Sequence, residues 1–218
     1  MKQTKFCKKC FHDDSYNSFH SLINLEYFIC NKCMKNMNPI FYEFKFENIK
    51  SLAIYRYNDE LRHTIYLLKG CYDYELKDVL ISPFRLELSL RYFGYTIIPI
   101  PSTKESDEKR GFNHVEAIFS SLNHRMIKCL YKTKNISQHQ LNYKERIKGS
   151  NKFGIDENID LRDKKILLVD DIMTTGETLK ACLELIKSKQ PKKIKILILA
   201  KRFKEDFEKE KLKNNLKS

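Results

Sequence analysis

The chain has 218 residues, enough for one substantial α/β core plus a small appendage. Lys and Arg number 41 against 28 Asp and Glu, and the resulting formal charge of +13 favours polyanionic partners such as nucleic acid, phosphorylated ligands or an anionic membrane surface. No apolar run approaches the length that spans a bilayer, and Met1 to Lys5 lack an apolar secretory stretch, so the expected location is the cytoplasm.

Four of the seven cysteines come first, as Cys7-x-x-Cys10 and Cys30-x-x-Cys33 with nineteen residues between the pairs. Each pair fits a tight knuckle, and two knuckles bring four thiolates to one tetrahedral ion. Four thiolates leave no open position, so the expected metal is a structural Zn²⁺. Cys71, Cys129 and Cys182 have no partners in the pattern and read as small buried side chains.

Residues 34–51 read as a connector carrying one strand and interrupted by Pro39. Tyr57, Leu61, Ile65 and Leu68 recur at helical spacing and stop at Lys69-Gly70. A second helical region runs from Tyr74 to Tyr92, broken near Ser82-Pro83. Tyr95–Ile100 is the first confident strand, followed by a charged loop from Thr103 to Lys109 and by Arg110-Gly111-Phe112-Asn113. Val115, Ile118, Phe119 and Leu122 mark a further helix. A strand is expected near Lys128–Lys132, a loop over 133–158, and a last apolar strand over Ile194–Ala200. Alternating strands and helices predict a mainly parallel sheet that binds ligands at its carboxyl edge.

The most informative stretch is Ile166-Leu167-Leu168-Val169-Asp170-Asp171, followed by Thr174-Thr175-Gly176-Glu177-Thr178. A buried strand delivers two carboxylates, suited to vicinal hydroxyls or a hydrated Mg²⁺. The turn offers hydroxyls and backbone N–H groups where a helix begins, a place that favours phosphate. Leu179, Cys182, Leu183 and Ile186 give that helix one apolar face.

This loop resembles the phosphoribosyl-pyrophosphate (PRPP) motif of type I phosphoribosyltransferases. The resemblance implies that Asp170 and Asp171 hold the ribose hydroxyls and that Thr174, Thr175, Gly176 and Thr178 wrap the 5-phosphate. Pyrophosphate is then expected near Ser102 and Thr103, with Arg110 as the best neutralising cation, since its planar fork suits phosphate oxygens.

The order of elements is narrower still: the cysteine knuckles, Leu67-Leu68-Lys69-Gly70, Ile98-Pro99-Ile100-Pro101, Arg110-Gly111-Phe112-Asn113, Gln138-x-x-Leu141-x₄-Arg146, and the acidic loop. Over residues 5–200 this is similar to the ComF family, competence-associated phosphoribosyltransferase-like proteins of bacteria. Where the family often has Asn three positions after the matching Arg, this chain has Gly149, and its nearest Asn is Asn151. The resemblance implies an α/β fold with a type I phosphoribosyltransferase-like, mainly parallel sheet flanked by helices and a small N-terminal four-cysteine zinc finger. The expected division is a zinc finger over 1–40, a helical cover over 41–93, the phosphoribosyltransferase-like domain over 94–202 and a charged tail over 203–218.

The same resemblance implies a part in natural transformation, with PRPP and single-stranded DNA as partners and Mg²⁺ accompanying PRPP. It also implies contact with inner-membrane DNA translocation proteins and peripheral attachment to the inner face of that membrane. No acceptor-binding hood is recognisable, so no transferred base is indicated. A salvage phosphoribosyltransferase and a zinc-stabilised scaffold with a vestigial pocket are the other readings. Candidate DNA contacts are Lys8, Lys9 and Lys32 of the knuckles and the aromatic–basic mixture over Tyr42–Arg56.

Overall fold

The computed structural model describes residues 6–12, 28–133, 152–203 and 205–206. Gln138, His139, Leu141, Arg146, Gly149 and Asn151, and most of the 203–218 tail, lie outside the described residues.

A short helix α1 (Asn31–Met37) follows the second cysteine knuckle. Strands β1 (Pro39–Phe46) and β2 (Ile49–Arg56) then form an antiparallel hairpin. Its two-residue turn, Glu47-Asn48, has both φ angles positive (47° and 64°), the twist a tight hairpin needs. Helix α2 (Asp59–Gly70) is capped by the Asn58 side chain, which accepts from the Leu61 N–H at 2.8 Å. Helix α3 (Leu76–Ile81), one 3₁₀ turn over Ser82–Phe84 and α4 (Arg85–Arg91) follow, the break falling at Pro83 as the sequence predicts.

Strand β3 (Tyr95–Pro99) leads to α5 (Lys104–Arg110) and α6 (His114–Ser120). Strands β4 (Leu130–Lys132) and β5 (Phe153–Ile155) pair with each other as a small antiparallel sheet. Strand β6 (Lys165–Met173), α7 (Glu177–Ser188) and β7 (Lys193–Lys201) complete the fold. The main sheet has the order β1-β2-β7-β6-β3, with β2, β7, β6 and β3 parallel and β1 antiparallel at one edge.

Two cores cover the two faces, and β6 divides between them with a period of two. Leu167 and Val169 pack with Tyr55, Leu61, Leu68, Val115 and Phe119 toward α2, α3 and α6. Ile166 and Leu168 pack with Leu179, Leu183 and Ile186 of α7. Burial on both faces is why these strands read as continuous apolar runs rather than alternating ones.

Five expectations change. The stretch 133–158, expected as a loop, contains β5, and Cys71 is exposed where a buried side chain is expected, because it caps the end of α2. Residues 34–51 hold one strand and the start of a second, and Pro39 begins the first instead of interrupting it. That placement is inexpensive because an edge strand has ladder positions where no N–H is required. Residues 41–93 are not wholly helical, since β2 is a buried member of the main sheet pairing with β7. The charged stretch after Thr103 is a helix rather than a loop. The Thr103 hydroxyl accepts from the Ser106 N–H, acids occupy the first turn, Lys109 and Arg110 the last, and Gly111 ends it at φ 81°.

Candidate phosphoribosyl site and four-cysteine cluster

The carboxyl ends of β3 and β6 place the two acids beside the loops that follow them. Alternation along β6 sends Asp171 to the α2–α6 face with Leu167 and Val169, and Asp170 to the α7 face with Ile166 and Leu168. Asp171 is 7% exposed, and its Oδ2 is paired with the Lys69 ammonium from the last turn of α2. The same oxygen lies 3.4 Å from His114 Nε2 at the start of α6. Arg110 Nη1 donates to His114 Nδ1 at 3.1 Å, so Nε2 carries the ring proton and faces Asp171. Asp170 Oδ1 accepts from the Asp171 N–H at 2.9 Å.

The two acids titrate in opposite directions. Burial, reinforced by the Asp171 charge, holds Asp170 well above the usual carboxylate range. Burial also pushes Asp171 upward, but the His114 hydrogen bond and the Lys69 charge outweigh it and hold Asp171 well below that range. Burial lowers His114, against the pull of Asp171, so the imidazole is neutral at physiological pH.

Ser102 and Thr103 stand at the carboxyl end of β3. Ser102 Oγ donates to Asp107 Oδ1 and accepts from Asn113 Nδ2 at 2.9 Å, while Asn113 also donates to Asp107 Oδ2 at 2.9 Å. A cleft of about 370 Å³ opens here toward the small sheet, lined by Pro101, Ser102, Lys104, Asp107 and Lys132 among others. Thr103 caps α5. Arg110 does not face this cleft as a free cation. Its side chain is 9% exposed, with Nε donating to the Lys69 carbonyl at 3.1 Å and Nη1 directed to Asp107, the Phe112 carbonyl and His114. Here it braces α2 against α6.

Thr174, Thr175 and Thr178 are exposed around the start of α7, while Gly176 is buried at φ 83°. A Cβ on Gly176 would lie 2.7 Å from the Phe46 ring, so the hairpin packs directly against this turn and only glycine fits. Lys180 and Glu47, 3.1 Å apart, tie the same two elements.

At the other end, the Cys7, Cys10, Cys30 and Cys33 sulfurs all lie within 4.8 Å of one another. Sulfurs bound at about 2.3 Å to one tetrahedral ion stand about 3.8 Å apart, and Cys10 and Cys30 are 3.8 Å apart. The donor set fits a structural metal. Cys7, Cys30 and Cys33 are buried within the same core as Leu61, Ile65 and Leu68 of α2. Lys8 pairs with Glu75 and Asp78, and Lys9 with Glu60, so these two knuckle lysines hold the cluster to α2 and α3. They are not free to meet DNA as the sequence suggests; Lys32 is exposed.

Neither His114 nor Lys69 carries a site role in the sequence pattern. The signal for Lys69 was its place as the cation in the last turn of an amphipathic helix.

The phosphoribosyl transferase domain family matches residues 109–218. The chain is 30% identical over 149 residues to the competence protein ComFC of Streptococcus pneumoniae (strain ATCC BAA-255 / R6), covering 68% of this chain and 67% of that protein. It is 30% identical over 129 residues to ComFC of Bacillus subtilis (strain 168), covering 58% and 53%. Among solved structures it is similar to a hypoxanthine phosphoribosyltransferase from Staphylococcus aureus (13% identity, 78% of this chain and 72% of that one, TM-score 0.34). It is also similar to adenine phosphoribosyltransferase from Saccharomyces cerevisiae (17% identity, 62% and 73%, TM-score 0.39). The class is thus a type I phosphoribosyltransferase-like α/β domain carrying an N-terminal four-cysteine cluster. Within that class, the chain belongs to the ComF family of competence-associated proteins.

Two outcomes are expected. A carboxyl held low stabilises the folded chain above its unfolded value of about pH 4, and that share is lost as pH falls through the folded value. A carboxyl held high costs stability as pH rises from about 4 through its raised value. Asp170→Asn therefore stabilises at neutral pH, with the gain fading toward about pH 4. Asp171→Asn destabilises by on the order of 2–3 kcal/mol at neutral pH, less than a fully buried pair because Lys69 keeps some water contact. Urea midpoints across the pH range check both signs. Elemental analysis is expected to find one zinc per chain, lost in Cys33→Ser, and the loss should lower the melting temperature of the whole domain because the cluster shares its core.

Proposed function

We propose that this protein acts in natural transformation, binding PRPP at the carboxyl edge of its sheet and single-stranded DNA on a basic face. The observation that carries this reading is the acid pair near the end of β6, two residues ahead of the exposed threonines of the α7 turn, in a chain of the ComF family. In this reading Asp170 and Asp171 take the ribose hydroxyls. Thr174, Thr175, Gly176 and Thr178 take the 5-phosphate with the α7 N–H groups. Pyrophosphate lies in the cleft by Ser102 and Thr103, with Lys104 and Lys132 as its cations in place of Arg110. Zn²⁺ occupies the four cysteines and holds them folded. The protein works in the cytoplasm, where incoming single strands arrive.

Support for a DNA face comes from the strand starts rather than the knuckles. Lys50, Arg91 and Lys193 crowd Lys195 closely enough that, after burial, their charges lower its pKa. Lys195 also lies over the Tyr92 and Tyr95 rings, at 5.3 and 5.1 Å. Tyr92 and Tyr95 are themselves buried, so what this face offers a single strand is its cations. Arg91 is shared with Glu43, at 2.6 Å.

A second reading, a scaffold docking to membrane translocation proteins, is favoured by Leu86, Leu90 and Phe93. They are exposed at i, i+4 and i+7 along α4 and its end, with Phe93 82% exposed. No helix among the described residues is long and apolar enough to cross a membrane.

Thr174→Ala combined with Thr175→Ala removes two exposed hydroxyls without touching the core. PRPP affinity by calorimetry is expected to fall about tenfold, and transformation frequency should fall with it. Unchanged binding argues against the pocket, and unchanged transformation with lost binding favours the scaffold. For DNA, Lys50→Glu with Lys193→Glu is expected to weaken binding of a labelled oligothymidine and to flatten the log K against log salt slope by about 1.4. An unaltered slope places the strand elsewhere.

A further inference from the structure

The acidic end of β6 is already matched by a cation. Lys69 is anchored at both ends, its carbonyl held by Arg110 Nε at 3.1 Å and its ammonium on Asp171 Oδ2. Arg110 is itself fixed by Asp107, the Phe112 carbonyl and His114, and His114 presents a neutral ring N–H to the same Asp171 oxygen. One carboxylate oxygen thus faces an ammonium and a ring nitrogen, the surroundings of a charge-paired anion rather than of a free metal ligand.

The second acid does not complete a cation site. Asp170 accepts from the Asp171 N–H, and burial together with the neighbouring Asp171 carboxyl favours its uncharged form, so it adds no second anion for a cation. Among the described residues, the four cysteines are the only group of three or more metal-ligating side chains gathered together. Mg²⁺ keeps near-ideal octahedral geometry and sheds water reluctantly. To bind at Asp171 it would have to shed water and displace an ammonium that is already paired there and keeps part of its own hydration.

Resting on the PRPP reading of this pocket, we infer that Lys69 takes the place of a divalent cation at Asp171, so that the sugar end of the ligand is held without metal bridging to the acids. Lys69 is a positioning residue in this arrangement. It holds Asp171 charged and oriented from behind, leaving the other oxygen to a sugar hydroxyl. Mg²⁺ that travels with pyrophosphate is a separate matter, so the probe must lack pyrophosphate.

The test uses the 218-residue chain, zinc-loaded, and ribose 5-phosphate, by calorimetry with and without added Mg²⁺. Wild type is expected to bind equally in both conditions, within about twofold. Lys69→Met should bind about tenfold more weakly without Mg²⁺ and recover with it, while Lys69→Arg should behave as wild type. A wild-type requirement for Mg²⁺, or a Lys69→Met variant indifferent to it, overturns the inference.

Melting temperatures of the ligand-free proteins separate this from failure of the PRPP reading. Added Mg²⁺ should leave wild type unmoved and raise Lys69→Met. If wild type binds no ribose 5-phosphate, the PRPP reading fails, and the melts alone decide the metal question: a wild-type melt raised by Mg²⁺ refutes it, and a rise confined to Lys69→Met upholds it. A Lys69→Met chain that is unfolded with or without Mg²⁺ also refutes it, since a metal at Asp171 should then have replaced the missing ammonium.

Discussion

A single buried carboxylate organises the functional end of this molecule. Asp171 cannot remain charged inside a packed face without a counter-charge and a donor, and the fold supplies both from elements distant in sequence. Lys69 comes from the end of α2 and His114 from the start of α6, with Arg110 between them bonding to each. The requirement to satisfy one acid therefore fixes where two helices end and begin. It also explains why the Arg110–Asn113 segment is shaped as it is: Arg110 braces α2, Gly111 ends α5 in a left-handed conformation, and Asn113 caps α6 while holding Ser102 and Asp107.

From that anchor the ligand side is built in layers. The rear of the acid pair is packed and paired; the front is a turn of exposed hydroxyls whose one glycine is pressed against Phe46 of the hairpin. A rigid rear and an open front are what a preorganised anion site needs, because little has to be ordered when the ligand arrives. The cysteine cluster contributes from further off. Its sulfurs are in the same core as α2, and Lys8 and Lys9 clamp it to α2 and α3, so metal binding and the helix that carries Lys69 are mechanically continuous.

Much of this was legible in the sequence where a local pattern carries its own physics. The strand–acid–threonine–glycine–helix order along 165–188, the CxxC spacing and the break at Pro83 each follow from a rule that needs no tertiary information. The misreadings have a common cause. Pro39 and the polar stretch after it suggested a connector, since nothing local shows that this strand lies at a sheet edge. The charge density of 104–110 suggested a loop, although the charges are arranged as a helix dipole prefers. Arg110 was read as a ligand cation because its partners, Lys69 and His114, are set by the packing of α2 on α6 and not by neighbours in sequence.

The central claim is that Lys69 and Asp171 act as one unit, and a double-mutant cycle in urea denaturation measures it directly. Each single change, Lys69→Met and Asp171→Asn, leaves a buried charged group or its partner unmatched. The double variant removes both. The account predicts a coupling of about 2 kcal/mol or more, with the double variant at least as stable as either single one. Additive losses, with a coupling indistinguishable from zero, would contradict it and return Asp171 to the role of an acid waiting for an external cation.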